Sequence, residues 1–329
     1  MWRLPFVFAL AALLVLLLTL GLAACGTAPG SPGDDGSGPT STTAPDSTST
    51  TAPDATSTTT PASSSTTLPA GSIAHPMGAS DVVLRVATGG GFVPIQYNYT
   101  MVPEFTLYGD GRIITPGPTT MQYPGAALPN LQTTVVSEEV IQEMLAAAKE
   151  AQLFRNGADY GRPGVTDVGT TTITINTGGT TYKSDVYALG FDSAGGTGLT
   201  MQQQQERAAA NDFRTKLSDP TNFSAPQPAW ETYDFTALKV FSQAIDTTAE
   251  TASTDVRPNH LPWPLADLAT SGTAVENTQG LRQLIVSGDD LATIKPLLQQ
   301  ATEITIWESG AAKYNVWLRP LLPDEAAAL

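Results

Sequence analysis

Four consecutive eight-residue units constrain everything else in this 329-residue chain: STTAPDST from Ser41, STTAPDAT from Ser49, STTTPASS from Ser57 and STTLPAGS from Ser65. Each unit holds one proline and no apolar face on which a neighbour could stack, so the repeat is a spacer and not a solenoid. The same composition extends over residues 26–77, where the only charges are Asp34, Asp35, Asp46 and Asp54. A segment that buries nothing cannot offset its ordering entropy, and it is expected to be a disordered tether. Its contour is about 160 Å if polyproline-like, and its coil span about 40 Å. Ser and Thr beside Pro fit an O-glycosylated stalk as well as an unmodified linker. Folding is thereby left to residues 78–329, about 250 residues, enough for one large domain or two small ones.

Ahead of the tether, an apolar run from Leu4 to Ala24 ends in Leu22-Ala23-Ala24-Cys25-Gly26. This stretch resembles the lipobox of bacterial lipoproteins. The resemblance implies a signal peptide over residues 1–24 and a Cys25 that receives a diacylglyceryl group as the first residue of the mature chain. Two acyl chains anchor stably where one is marginal. The alternative is a retained transmembrane helix, since the run is just long enough to span a bilayer. Either way Arg3 stays inside and the remainder faces out, as the positive-inside rule requires. The expected location is the outer face of the cytoplasmic membrane.

Cys25 is the sole cysteine, so the folded region has no disulfide framework, cysteine nucleophile or thiolate metal site. Its stability must come from core packing. The formal net charge of -15 leaves no basic footprint for nucleic acid.

Past the tether, the pattern predicts a strand over residues 81–87, with Val83, Arg85 and Ala87 opposed to Val82, Leu84 and Val86. A hairpin follows: 105–108 and 112–115 flank Gly109-Asp110-Gly111, and Asp-Gly supports a tight turn. Ser137 is placed to cap a helix to about Gln152, whose Val140, Ile141, Met144, Leu145 and Ala148 share one face. A second hairpin pairs 171–176 with 181–187 around Gly178-Gly179. Thr200 and Gln203 form a capping-box pattern opening a mostly polar, surface helix to about Leu217. A boundary is expected near 220–228. Then come a strand over 236–244, a Pro-rich loop over 255–265 with His260 and Trp263, and a short strand at 283–286. A helix over 289–301, kinked or split by Pro296, precedes a third hairpin of 303–308 and 313–318. Antiparallel hairpins interrupted by a few helices indicate an α+β fold. The order helix then hairpin occurs twice, at 137–188 and 289–318, which leaves open two related halves.

The stretches PEFTLYGDGRII, DYGRPGVTDVGTTTITI with VYALG, and WLRPLLPDE together resemble an uncharacterised family of secreted proteins and lipoproteins from actinobacteria, over most of residues 80–325. The resemblance implies a cell-envelope location and transfers no activity or catalytic residue.

Little in the chain carries chemistry. The two histidines are His75, at the tether's end, and His260, and no G-x-S-x-G or S-x-x-K stretch accompanies them. The glycine runs at 89–91 and 195–196 lack the lysine of a phosphate loop. Asp159 and Asp167, in a loop beside Tyr160, are the one pair suited to acid–base work or to an oxygen-ligated cation, against the plainer reading that both accept turn N–H groups. Trp230, Trp263, Trp307 and Trp317 can line a sugar or peptide groove, or simply pack in the core. The expectation is an anchored envelope protein acting without catalysis or cofactor, by binding a wall polymer or another envelope protein. Its alternatives are an envelope hydrolase using acidic residues and a structural subunit of an envelope complex.

Overall fold

A computed structural model describes residues 71–191, 198–246 and 256–329, all within one compact unit spanning Ser65–Leu329. The leader, Cys25, most of the repeat and the Gly195-Gly196 pair lie outside the described residues. The fold is α+β, as expected, and is built on two sheets.

The first sheet takes its strands from the N-terminal part of this unit. In chain order the elements are β1 (Val82–Gly89), α1 (Ile95–Thr100), β2 (Phe105–Tyr108), β3 (Arg112–Pro116), β4 (Leu131–Val135), α2 (Glu138–Glu150), β5 (Thr170–Thr177), β6 (Thr180–Tyr187), α3 (Met201–Leu217) and β7 (Glu231–Thr232). The strand order is β6-β5-β1-β2-β3-β4-β7, antiparallel throughout. The second sheet uses β8 (Ala237–Ala244), β9 (His260–Pro262), β10 (Thr273–Ala274), β11 (Leu281–Ser287), β12 (Ile306–Ser309) and β13 (Ala312–Pro320), with α4 (Gly288–Leu298) before the last hairpin and α5 (Pro323–Ala327) after it. Its order is β10-β11-β8-β13-β12-β9, and only the β9–β12 pair is parallel.

Several expectations need correcting. The alternation assigned to residues 81–87 misses a bulge: Val82 pairs Tyr108 but Leu84 pairs Leu107, so Val83 is the extra residue and turns inward beside Leu84. Arg85 therefore sits on the same face as Tyr108 and Thr106. The folded chain also starts before residue 78. Ile73 exchanges two hydrogen bonds with the Gln142 side chain, and the buried His75 meets Glu138 at 3.1 Å. His75 is thus part of the core wall and not of the tether. Gly109 is required there, because a Cβ would overlap the Pro76 carbonyl; at Gly111 (φ +84°) it would overlap that of Val136.

The face that periodicity marks on α2, Val140, Ile141, Met144, Leu145 and Ala148, is buried. The α3 capping box also forms, with Gln203 N donating to Thr200 Oγ1. As expected, α3 lies on the surface, but it buries one face, Arg207, Ala210, Phe213 and Leu217. The segment 220–228 marks no boundary between sheets: Phe223 packs in the first core, and the chain leaves the first sheet only after β7. The loop expected at 255–265 contributes β9, paired to β12. Pro296 does not split α4, because it lies in the last turn and the helix ends at Leu298. Nor are the two helix–hairpin units copies: β1 pairs the first strand of its hairpin, β5, whereas β8 pairs the second, β13.

Three apolar clusters result. The first lies between sheet one and helices α2 and α3, the second between sheet two and α4. The third joins them: Tyr108, Ile114 and Leu131 of the first sheet pack on Tyr233 and Leu322. This explains why β2 is buried on both faces, Phe105 and Leu107 toward α2 and α3, Tyr108 toward the C-terminal segment.

Candidate functional site

The acidic pair comes first, because its spacing in a loop is what suggests chemistry. Asp159 Oδ1 accepts from Gly161 N at 2.9 Å, closing a turn on itself, and Oδ2 accepts from Gln203 Nε2 at 3.0 Å. The carboxylate therefore ties the loop to the first turn of α3. Tyr160, expected on a surface loop, is 3 % exposed and belongs to the first core, with its hydroxyl donating to Ser184 Oγ. Its carbonyl and that of Ala188 accept from the guanidinium of the fully buried Arg207. Asp167 sits at φ +64°, a conformation Asp tolerates in turns, and its carbonyl accepts from Phe92 N at 3.2 Å. The Asp159 carboxylate is thus a turn and loop fastener, whereas Asp167 joins the loop through its main chain and its carboxylate accepts from the Thr166 hydroxyl at 3.3 Å. The burial of Arg207 was not legible in the sequence, since nothing in a polar helix marks one arginine as buried.

A second polar cluster lies at the seam of the two sheets. Asp324 Oδ1 accepts from Arg85 Nη2 and from the Tyr108 hydroxyl, each at 2.7 Å. Burial pushes the Asp324 carboxyl up, but the hydrogen bonds and charge of Arg85 and Tyr108 outweigh it and hold the group below its usual range. Burial and the same partner drive the Tyr108 phenol upward, so it stays a donor. Beside them Arg319 forks onto Glu325 and donates from Nε to the Met101 carbonyl. This is a clamp: the Arg85–Asp324 pair and the Tyr108 bond hold the C-terminal segment to the first sheet, and the Arg319–Glu325 pair braces α5 against β13.

The tryptophans divide sharply. Trp307 (1 % exposed) and Trp263 (7 %) pack edge to face in the second core, and Trp230 leans on the first. Trp317 differs. It lies on the face of β13 opposite α4, cross-strand from Phe241, and lines a cavity of about 480 Å³ together with Tyr97 and Thr100 of α1, Tyr123 of the β3–β4 connection, and Glu303. Tyr97 and Tyr123 are 62 % and 65 % exposed, although both carry large apolar rings. The walls are held by backbone: Ala126 bridges Thr302, Ala127 N donates to the Ala301 carbonyl, and Gly125 and Glu303 exchange two bonds, one through the Glu303 carboxylate. Below the cavity Tyr99 stacks on Phe241 with ring centroids 5.1 Å apart, which seats α1 on the sheet. This arrangement can bind a ligand with apolar faces and hydrogen-bonding edges. Trp317 is one of five tryptophans in the sequence, which cannot separate it from the buried ones, and Tyr97 and Tyr123 carry no motif.

A larger cavity, about 550 Å³ beside β10 and β11, has no aromatic residue in its lining. His260, on β9, meets Glu308 at 2.9 Å. Among the described residues no group of three or more His, Cys, Asp or Glu side chains could hold a metal ion, and no helix is long and apolar enough to cross a membrane. No protein-family model, curated protein or solved structure matches the chain.

Proposed function

We propose that this chain is a lipid-anchored protein of the cell envelope that acts by binding, with its folded region held off the outer face of the cytoplasmic membrane by the Ser/Thr/Pro-rich tether. The observation that carries the reading is the cleft at the seam of the two sheets, where Tyr97 and Tyr123 keep most of their ring surface in water beside Trp317. Exposing two such rings at one cleft forgoes their burial free energy, and rings so placed mark recognition sites. The hydrolase reading is the weaker one, because the Asp159 carboxylate is taken up by Gly161 N and Gln203 Nε2. The lipobox-like stretch Leu22–Gly26 and the resemblance to actinobacterial envelope proteins support that location.

Two measurements test this. Intact mass and detergent partitioning of the membrane-derived protein, beside a Cys25→Ala variant, should give a chain that begins at an acylated Cys25 and a variant that is left unprocessed or lost to the aqueous phase. Cosedimentation with isolated cell wall should retain the wild type. A wild type that keeps Met1 and partitions like its variant refutes the lipid anchor.

A further inference from the structure

The face of the second sheet that carries Trp317 is patterned along its whole length. Cross-strand pairs on β13 and β8 run Asn315 with Gln243, Trp317 with Phe241, and Arg319 with Lys239. Residues two apart on a strand share a face, so amide, aromatic and cationic rungs follow one another on the side away from α4. The six-residue α1 lies across this face, seated by the stack of Tyr99 on Phe241 and by the bond from Arg319 Nε to the Met101 carbonyl. On one side of α1 is the aromatic cleft. On the other is a second cavity of about 270 Å³, whose lining includes Gln96, Gln243, Asn277, Thr278 and Gln279.

We infer that this face binds an uncharged glycan strand, with sugar rings stacked on Tyr97, Tyr123 and Trp317 and hydroxyl or acetamido groups met by the amides flanking α1. The inference rests on the binding reading above and names its ligand class. Aromatic rings offer apolar contact to the C–H face of a sugar, while side-chain amides both donate and accept, as hydroxyl groups do. Charge narrows the class further. A chain of net charge -15 repels polyanions, Glu303 in the cleft adds to that, and in the cationic rung Arg319 is already matched by Glu325.

The test uses the full-length protein in detergent and three probes: hexasaccharides of β-1,4-linked glucose and of β-1,4-linked N-acetylglucosamine, and a sulfated glycan of similar length. Calorimetric titration and tryptophan fluorescence are followed for wild type, Tyr97→Ala, Tyr123→Ala and Trp317→Phe. The two tyrosines are largely exposed, so their variants should keep the wild-type melting temperature. The expected result is saturable binding of at least one neutral hexasaccharide, weakened about three- to ten-fold by each tyrosine variant, with a fluorescence change that disappears in Trp317→Phe and little binding of the sulfated chain. Neutral binding that is identical in all variants overturns the assignment to this face. Preference for the sulfated chain overturns the ligand class. Wall cosedimentation without binding of any neutral hexasaccharide overturns the glycan inference and leaves the binding reading standing, whereas loss of both overturns both.

Discussion

Removing the Asp324 carboxylate should unfasten the C-terminal segment from the first sheet. Both partners bond the same oxygen: Arg85 Nη2 and the Tyr108 hydroxyl approach Oδ1 at 2.7 Å. Hydrogen bonds to a charged group contribute about 1.5–3 kcal/mol each. The Arg85 and Asp324 side chains are 22 % and 24 % exposed, so water partly replaces the ion pair and its share falls to about 1 kcal/mol. Tyr108 is fully buried, and its orphaned hydroxyl costs about 2 kcal/mol. Asp324→Ala should therefore destabilise by about 3 kcal/mol, lowering the melting temperature by about 6–12 °C for a folded region of this size. Tyr108→Phe, which removes the donor together with its need for a partner, should cost about 1 kcal/mol. The double variant should fall short of the sum, because the two residues share one bond. The pH dependence has a definite sign. Asp324 is held below the ordinary value of 3.8, so its contribution is complete above that pH and is lost as pH falls through the lower folded value. Calorimetry of wild type and Asp324→Ala at neutral pH and near pH 3 should show the gap narrowing in acid. A shift under about 1 °C at neutral pH, or a gap that does not change in acid, would refute the clamp.

Other substitutions probe separate parts of the argument. Arg207→Met should cost about 3 kcal/mol in chemical denaturation, because the carbonyls of Tyr160 and Ala188 lose a buried donor; a cost under about 0.5 kcal/mol would show that water reaches them. Asp159→Ala should lower stability by about 1 kcal/mol through loss of its bonds to Gly161 and Gln203 while leaving wall cosedimentation unchanged, and a stable variant that no longer binds would return the acidic loop to the site. Gly111→Ala should cost more than about 1 kcal/mol, since its φ of +84° and the Val136 carbonyl both oppose a Cβ; an unchanged denaturation midpoint contradicts this. Leu107→Ala, at a fully buried position of the first core, should cost about 2–5 kcal/mol in the same assay.

The elements legible in the sequence are those whose cause is local. The α2 face follows from apolar spacing, the β2–β3 hairpin from Asp110-Gly111, and the α3 start from the capping pair Thr200 and Gln203. What eluded the sequence depends on partners far along the chain. The bulge at Val83 is imposed by pairing with β2, and β9 exists only because β12 lies beside it. The burial of Arg207 needs carbonyls 19 and 47 residues away. The stretches YGDGR and RPLLPDE, separate in the sequence, meet at the seam, where Tyr108 and Asp324 are bonded across 216 positions. The cleft follows the same rule: Tyr97, Tyr123 and Trp317 come from a short helix, a loop and a strand, and only the packing of α1 on the second sheet makes them one surface. The sequence by itself determined the α2 and α3 helices, the Asp110-Gly111 turn, and that no thiol takes part in the folded region. Tertiary structure alone decided which polar residues are buried and which aromatic rings stay in water, because burial is a property of distant surfaces brought together and has no local signature.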